Sequence, residues 1–283
     1  MNQETITARL KTKWAGRALK YFDIIDSTNN VADEAGLRGE AAGFLAVADR
    51  QDAGRGRRGR TWISPSGYNI FMSIMVRPNL PMDRVSGLTL VMALAVSEGI
   101  RNVLGASEGD GAESAAQDQA CYKCGIKWPN DIVLNGKKIC GILTELHPMP
   151  GTDEYYVVIG VGINVNQPAE LFSDEIKDMA GSVFSETGKE IDRDSLIAEC
   201  MACFETHYEK YVETGDLSKL KKEYEEQLLN MDAHVKVLDP KGEYEAVARG
   251  ITEDGSLIVE LEGGELKNIN AGEVSVRGLY GYV

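Results

Sequence analysis

Apolar positions along the chain follow two periods, and their alternation predicts a mixture of strands and helices. Runs that suit strands occur at residues 21–25, 44–48 and 70–76, and in the last of these the even positions are apolar and share one face. Helical spacing follows at residues 84–104 and again at residues 195–211. We therefore predict an α+β fold in which a mixed β-sheet carries helices on one face.

The strongest local signal for paired strands is Asn135-Gly136, which lies between apolar runs at residues 132–134 and 138–146. Asn-Gly favours a type I′ turn, so these runs are predicted to form a β-hairpin. A longer apolar strand is predicted at residues 155–165, and another helix at residues 217–229. No helix follows the 155–165 strand directly, which argues against a dinucleotide-binding turn at its Gly-x-Gly.

The pattern changes after residue 230, where short apolar runs predict strands. These runs are residues 235–238, 244–250, 257–261 and 273–276. Asp254-Gly255 and Gly263-Gly264 are typical turn pairs. We predict two domains, residues 1–230 and residues 231–283, the second a small SH3-like β-barrel. A domain of about 50 residues has limited stability alone, so we expect it to dock on the first.

The overall composition narrows the possible functions. The formal net charge of −14 argues against a general nucleic-acid-binding protein. We identify neither a signal peptide nor an apolar run of transmembrane length, and the odd number of cysteines (five) is typical of a reducing compartment, so we expect a cytoplasmic protein.

The Cys121/Cys124 and Cys200/Cys203 pairs are too far apart for a zinc ribbon, and the apolar spacing around Cys200 favours core packing. We predict no structural metal.

Two segments differ from the rest of the chain in composition, one acidic and one rich in arginine. Residues 106–120 are small and acidic without bulky apolar side chains, so we expect a mobile insertion whose use the sequence does not reveal. Gly54–Arg60 instead contains three glycines and four arginines in seven positions. Glycine lets backbone N–H groups converge on an anion, and arginine adds bidentate donors for phosphate or carboxylate. The alternative interpretations are a solvated basic loop or a nucleic-acid patch.

Five ordered motifs give the chain a resemblance to the biotin protein ligases, which activate biotin with ATP and attach it to a lysine of an acceptor protein. They are Asp26-Ser-Thr-Asn29, the Gly54–Arg60 loop with Trp62, Lys127-Trp-Pro-Asn-Asp131, Lys138-Ile-Cys-Gly141 and Gly160-Val-Gly-Ile-Asn164. The resemblance extends over nearly the full chain. It implies biotin and ATP as substrates, with Mg²⁺, and formation of biotinyl-5′-AMP. A ligase of the same fold that uses lipoate or octanoate remains the main alternative.

The resemblance also implies a role for each motif residue. Catalysis is expected from Arg55, Arg57, Lys138 and Asp131. Biotin is expected to contact Ser27, Thr28, Asn29, Gln51, Gly54, Arg55, Gly56, Arg57, Lys138, Gly141, Gly160 and Gly162. The nucleotide is expected to contact Arg57, Arg58, Trp62, Lys127, Asn130, Asp131 and Asn164.

Each of these roles has a structural alternative. Ser27 and Thr28 suit helix capping, Asn130-Asp131 suits an Asx turn, Lys138 suits a solvated charge at a hairpin, and Trp62 suits simple core packing.

The resemblance implies a biotin carboxyl carrier domain of a biotin-dependent carboxylase as the macromolecular partner. Some family members carry an N-terminal winged-helix domain that binds DNA, and the short segment before residue 21 has no room for one. We therefore expect a ligase without specific DNA binding or membrane association. The sequence leaves the oligomeric state open, with a homodimer as one possibility.

Overall fold

The computed structural model describes residues 1–63, 65–106, 122–240, 242–271 and 275–278. The acidic insertion beyond residue 106, Cys121 and the start of the strand predicted at residues 273–276 lie outside the described residues.

A mixed sheet forms the centre of the larger domain, and in the described residues it has seven strands in the order β1-β2-β3-β7-β6-β5-β4. β1 and β2 pair in parallel, and the other neighbours pair antiparallel. The strands are β1 (Leu19–Ile25), β2 (Phe44–Gln51), β3 (Ile70–Val76), β4 (Cys124–Lys127), β5 (Asp131–Leu134), β6 (Lys137–Pro148) and β7 (Tyr155–Ile163). Asn135 and Gly136 both have positive φ angles, as the predicted type I′ turn requires. The mixed sheet is confirmed.

Helices cover both faces of this sheet. They are α1 (Gln3–Arg9), α2 (Thr28–Leu37), α3 (Gly87–Ala106), α4 (Val183–Thr187), α5 (Arg193–Thr214) and α6 (Lys221–Glu225). α3 and α5 pack together in the main core, and this is the predicted helical layer. α2 lies on the opposite face, where Ala32 and Ala35 pack with Phe44, Met75 and Tyr156, so the prediction of helices on one face only is corrected.

Two details of the prediction are wrong. β3 is buried at every position and not on one face only, because α2 covers its second face. The helix predicted at residues 217–229 is only the short α6, since turns occupy both flanks.

The helical segment Met82–Gly105 is long and apolar enough to span a membrane, which corrects our sequence-based statement that no such run exists. Most of it is buried inside the protein, where it packs on the sheet and on α5. A core helix enclosed on several sides is apolar around most of its circumference, so its composition follows from burial.

The cysteines that the structure describes are free and lie in or beside the core. Burial raises the pKa of Cys124 to about 11 and that of Cys203 to about 12. These residues therefore remain protonated thiols at neutral pH. The predicted core role of Cys200, which is fully buried in α5, is confirmed.

The C-terminal region is a second, antiparallel sheet in the order β11-β10-β9-β8-β12. Its strands are β8 (His234–Leu238), β9 (Tyr244–Ile251), β10 (Leu257–Glu260), β11 (Leu266–Ile269) and β12 (Ser275–Gly278). The sequence did not predict β11, because three of its four side chains are exposed and give no alternation. The sheet docks on the larger domain: Trp128 Nε1 donates to Gly255 O at 3.0 Å, and Ile251 N donates to Glu225 Oε1 at 3.0 Å.

Candidate active site

Strand register brings three of the sequence motifs into one row across the sheet. Gly162 of β7 pairs with Gly141 of β6, Gly141 pairs with Asp131 of β5, and Asp131 pairs with Lys127 of β4. Residues directly opposite one another on neighbouring strands share a face of the sheet. The next row places Ser73, Gly160 and Leu143 side by side on the face that α2 partly covers.

The glycines in these rows allow close approach from above the sheet. A Cβ atom at Gly162 would lie 2.7 Å from the indole of Trp62, and one at Gly141 would lie 2.8 Å from the same ring. At Gly160 a Cβ would collide with the side-chain amide of Asn29. Any larger residue at these positions would displace Trp62 or Asn29, so the glycines set the depth of the site.

The first turn of α2 supplies the polar groups at one end of the site. Thr28 donates from its backbone N at 2.8 Å and from Oγ1 at 3.0 Å to Gln51 Oε1, at the end of β2. Ser73 Oγ lies 2.7 Å from Thr28 Oγ1 and 2.6 Å from Asn29 Oδ1. Ser27 is buried at the helix N-terminus, but its side chain makes no capping hydrogen bond, so the side-chain capping role considered for it is wrong.

Lys138 and Asp131 form the charged centre of the site. Lys138 Nζ lies 2.6 Å from Asp131 Oδ1, and it also lies over the Trp62 ring, 5.4 Å from the ring centroid. The Lys138 side chain is 25% exposed and that of Asp131 is 15% exposed, so the alternative of a solvated hairpin lysine is wrong. Partial burial strengthens this pair relative to a surface ion pair.

The arginine loop leaves β2 at Gln51 and folds back over the site. Gly54 is buried and its carbonyl accepts the Trp62 N–H at 2.9 Å, while Gly56 N donates to Arg60 O at 2.7 Å. Arg58 has a positive φ of 58° and, like Arg60, is exposed. These bonds give the loop a defined shape that turns different arginines in different directions.

Two arginines of the loop point inward. Arg55 Nη2 lies 3.2 Å from Glu145 Oε2. Arg57 Nη1 donates to Asn130 Oδ1 at 2.6 Å, and Nη2 donates to Ala271 O at 2.5 Å in the C-terminal region. Burial lowers the pKa of Arg57 from its ordinary value, and the nearby Asp131 carboxylate partly opposes this shift. Arg57 thus connects the loop, the Trp-Pro-Asn-Asp motif and the C-terminal region.

The remaining motif residues lie at the edges of the site. Lys127 is buried at the end of β4, opposite Asp131. Asn130 Nδ2 donates to Ile142 O at 3.2 Å, which orients the amide whose oxygen receives Arg57. Asn164 is buried, and its Nδ2 donates to Gly181 O at 2.9 Å. The structure gives Asn164 a contact that holds the chain near Gly181.

Sequence reasoning missed Glu145 and Ser73. Glu145 and Leu143 join the loop in lining a cavity of about 500 Å³; the loop positions that line it are Asp52, Ala53, Gly54, Arg55, Gly56, Arg58, Gly59, Arg60 and Thr61. Glu145 follows Gly141 by four residues on the same strand and therefore faces the same side. That period-two spacing is the signal that could have identified it. Ser73 is a single polar residue in an otherwise apolar strand.

The arrangement has one cationic end and one neutral polar end. Lys138 lies beside Gly141 and Arg57 contacts Asn130, whereas Thr28, Asn29 and Gln51 supply uncharged donors and acceptors near Gly160. Arg55 lies between these groups on Glu145, which Asn29 also contacts. Such a site can hold a ligand with an anionic group at one end and an amide-like group at the other. The described residues include no cluster of three or more His, Cys, Asp or Glu side chains that could hold a metal ion.

Two family models match the chain. The Biotin/lipoate A/B protein ligase family matches residues 21–164, and the Biotin protein ligase C terminal domain matches residues 232–277. The first match covers the central sheet and the five motifs, and the second covers the C-terminal sheet.

Similar proteins extend over most of the chain. The bifunctional ligase/repressor BirA of Bacillus spizizenii is 37% identical over 276 residues, which cover 98% of this chain and 79% of that protein. The biotin–[acetyl-CoA-carboxylase] ligase of Mycobacterium tuberculosis is 27% identical over 92% of this chain and 90% of its own. Among solved structures, the Aquifex aeolicus biotin protein ligase in complex with biotin and ATP aligns with a TM-score of 0.74 and 29% identity over 93% of this chain and 99% of that one.

Proposed function

This chain belongs to the biotin/lipoate A/B protein ligase family, and we propose from that membership and from its site that it activates biotin with ATP and transfers the biotinyl group to a lysine of an acceptor protein. It is an ATP-dependent biotin protein ligase. The observation that carries this function is a row of glycines with Lys138 beside Gly141, Arg57 bonded to the adjoining Asn130, and the polar turn of α2 against Gly160.

In the first step a biotin carboxylate oxygen attacks the α-phosphorus of ATP. The P–O bond to the β-phosphate breaks, so biotinyl-5′-AMP forms and pyrophosphate leaves. Negative charge accumulates where carboxylate and phosphate meet. Lys138 and the two inward-pointing arginines supply fixed positive charge there, and this stabilises the transition state more than the separated substrates.

In the second step the neutral amine of the acceptor lysine attacks the acyl carbon of the adenylate. The bond from that carbon to the phosphate oxygen breaks, AMP leaves with the bonding electrons, and the proton lost from the nitrogen passes to solvent. Asp131 is engaged with Lys138, and unperturbed Asp and Lys differ by about six pKa units. We therefore assign Asp131 to orienting groups rather than to acting as an outright base. The Gly54–Arg60 loop covers the mixed anhydride and limits its hydrolysis.

Mg²⁺ enters as part of the ATP substrate. Asp131 is the carboxylate beside Lys138, and its pairing with that amine makes it a poor single ligand for a hard cation. The residues present therefore do not form a magnesium site of their own within the described part of the chain. We derive no step that depends on a protein-bound metal ion.

The neutral end of the site suits the ureido ring of biotin. That ring is uncharged and carries two N–H donors and one carbonyl acceptor, so it requires donors and acceptors in fixed positions. Thr28, Asn29, Gln51 and the nearby Ser27 and Ser73 are uncharged polar residues held in buried or half-buried positions. Each buried polar group that a wrong ligand leaves unpaired costs about 1–3 kcal/mol, which supports selection for biotin over lipoate.

The partner, the compartment and the assembly are further proposals. Relatives named biotin–[acetyl-CoA-carboxylase] ligase support a biotin carboxyl carrier domain of such a carboxylase as acceptor. Free, protonated cysteines among the described residues support a reducing, cytoplasmic setting. The acidic net charge of −14 supports a ligase that binds no specific DNA. A homodimer remains one possible assembly.

Pyrophosphate exchange into ATP tests the activation step. Biotin, lipoate and octanoate should be compared in parallel at equal concentration, and we expect exchange with biotin alone. Exchange with lipoate or octanoate but not with biotin would assign the chain to the lipoate branch of the family. Transfer is then tested with a purified biotin carboxyl carrier domain and its acceptor-lysine variant, which should remain unlabelled.

A further inference from the structure

Glu145 occupies the boundary between the two ends of the site. It lies on β6, and its side chain is 29% exposed. Its Oε2 atom accepts from Asn29 Nδ2 at 2.7 Å and from Arg55 Nη2 at 3.2 Å. One carboxylate oxygen therefore contacts both the polar turn of α2 and the arginine loop.

The charge of Glu145 fixes the orientation of Asn29. An ionised carboxylate can only accept hydrogen bonds, so the Asn29 atom 2.7 Å away must be the NH₂ group. The amide oxygen of Asn29 then faces Ser73 Oγ at 2.6 Å and can only accept. A flipped amide would place two acceptors against each other at Glu145.

The same constraint passes along the hydrogen-bond chain. Ser73 has one hydroxyl proton and two close oxygens, Asn29 Oδ1 at 2.6 Å and Thr28 Oγ1 at 2.7 Å. The Thr28 hydroxyl proton is donated to Gln51 Oε1 at 3.0 Å, so Ser73 is the donor in both of its contacts and shares its proton between Asn29 Oδ1 and Thr28 Oγ1. A neutral residue at position 145 would accept either Asn29 orientation, and the donors and acceptors of Asn29 and Ser73 would lose their fixed polarity.

Glu145 also holds the loop. Gly54, Gly56 and Gly59 make the loop costly to order, because glycine loses more backbone freedom than other residues. The Arg55–Glu145 ion pair joins the loop to the strand that carries Gly141. Arg55 is half exposed, so the contact is modest in energy, yet both of its partners line the same cavity.

We propose that Glu145 is a positioning residue that couples biotin recognition to loop closure, by fixing the donor–acceptor polarity of Asn29 and Ser73 while holding Arg55 over the site. This inference rests on the proposed function, because it assigns biotin to the α2 end. Glu145 touches neither reacting atom, and its effect should appear in biotin affinity and loop order.

The test is Glu145→Gln, which keeps size and removes charge. We expect the KM for biotin in pyrophosphate exchange to rise about 10- to 100-fold, as for loss of a hydrogen bond to a charged group. The KM for ATP at saturating biotin should change less than about threefold, and the melting temperature should stay within roughly 3 °C of wild type. Glu34→Gln is the matched control, since Glu34 is an exposed α2 carboxylate whose partner is Arg38.

Two further measurements test the contact of Glu145 with Arg55 and its effect on the order of the loop. Arg55→Ala and Glu145→Gln should be non-additive for biotin affinity, because they share one contact. Amide hydrogen exchange across residues 51–62 should be faster in both variants than in Glu34→Gln.

Each remaining outcome has a defined meaning. A fall in melting temperature with equal losses for biotin and ATP would show a merely structural carboxylate and overturn the proposal, as would wild-type kinetics in Glu145→Gln. Absence of biotin-dependent exchange in the wild type would instead overturn the proposed function itself.

Discussion

Lys138 Nζ lies 2.6 Å from Asp131 Oδ1, so the main cation of the site already has a counterion on the neighbouring strand. An entering carboxylate or phosphate must share or replace that partner. The pair therefore holds the amine in position before substrate arrives, and it keeps a half-buried charge neutralised when the site is empty. Lys138 also rests over the Trp62 ring, which ties its position to the end of the arginine loop.

Removal of the Lys138 charge should affect chemistry more than folding. We expect Lys138→Met, which keeps most of the aliphatic stem, to lower kcat/KM for pyrophosphate exchange at least about 100-fold, the size of effect seen when fixed electrostatic stabilisation is lost. Because Asp131 loses a charged hydrogen-bond partner, the unfolding free energy should fall by about 1–3 kcal/mol. Exchange kinetics and urea unfolding measure the two quantities.

The neighbouring residue provides the control. Lys137 pairs with Glu186 at 3.8 Å and is 36% exposed, away from the glycine row. Lys137→Met should leave exchange within about twofold of wild type and change unfolding free energy by less than roughly 1 kcal/mol. Similar kinetic losses in both variants would mean that general positive charge, not the position of Lys138, is what matters.

The two glycines of β7 should divide the site into a biotin end and a nucleotide end. A Cβ at Gly160 meets the amide of Asn29, whereas one at Gly162 meets the indole of Trp62. Gly160→Ala should raise the KM for biotin at least tenfold, and Gly162→Ala should mainly raise the KM for ATP, since overpacking costs about 1–3 kcal/mol. Each variant is the control for the other, and identical effects on both substrates would contradict the division.

Much of the fold could be predicted because periodicity and turn chemistry are local. The Asn135-Gly136 hairpin and the long apolar helix need no tertiary information. β11 was missed because its exposed side chains give no pattern.

The same distinction applies to the site: residues with a local sequence signal could be predicted, and residues defined by tertiary contacts could not. Motifs with unusual composition, such as Gly54–Arg60, were visible in the sequence, but Ser73 gains meaning only once strand register places it beside Gly160. Glu145 likewise has no distinguishing sequence signal, and its role becomes visible only through its contacts with Asn29 of α2 and Arg55 of the loop.

A buried carboxylate far from the site should control acid stability. Glu205 on α5 accepts backbone N–H groups from Lys13, Trp14 and Ala15 at 2.8–3.0 Å. Burial by itself raises the pKa of Glu205, but these hydrogen bonds outweigh it, so the pKa lies below its ordinary value of 4.5. A lowered folded-state pKa stabilises the protein fully above the unfolded value, and this contribution disappears as pH falls through the folded value.

We therefore expect Glu205→Gln to lower the unfolding free energy at pH 7 by about 1–3 kcal/mol, because an amide cannot accept all three bonds. The difference from wild type should shrink as the pH is lowered below about 4.5. Urea unfolding across this range measures both effects. Glu209→Gln, which alters an exposed carboxylate bonded to Trp14 Nε1 on the same helix, should show neither.

The last prediction concerns Arg57 and the retention of the adenylate. Three glycines make the loop costly to order, and its four arginines repel one another until an anion arrives. Arg57 stabilises the ordered loop through Asn130 Oδ1 and Ala271 O, which connect it to the Trp-Pro-Asn-Asp motif and to the C-terminal region. Arg57→Ala removes both contacts while Lys138 and Arg55 stay in place. We expect this variant to form some adenylate but to release it early.

Released adenylate is a reactive acyl donor, so Arg57→Ala should label unrelated proteins more than wild type does, which blotting for biotin on a bystander protein would measure. Hydrogen exchange across residues 51–62 should slow when a non-hydrolysable adenylate mimic binds wild type, and slow much less in Arg57→Ala. Arg38→Ala, which alters an exposed residue directly after α2 that pairs with Glu34, is the control and should behave as wild type. Equal protection of the loop with and without the mimic, together with labelling confined to the acceptor lysine, would show that Arg57 does not clamp the intermediate, even for an active ligase.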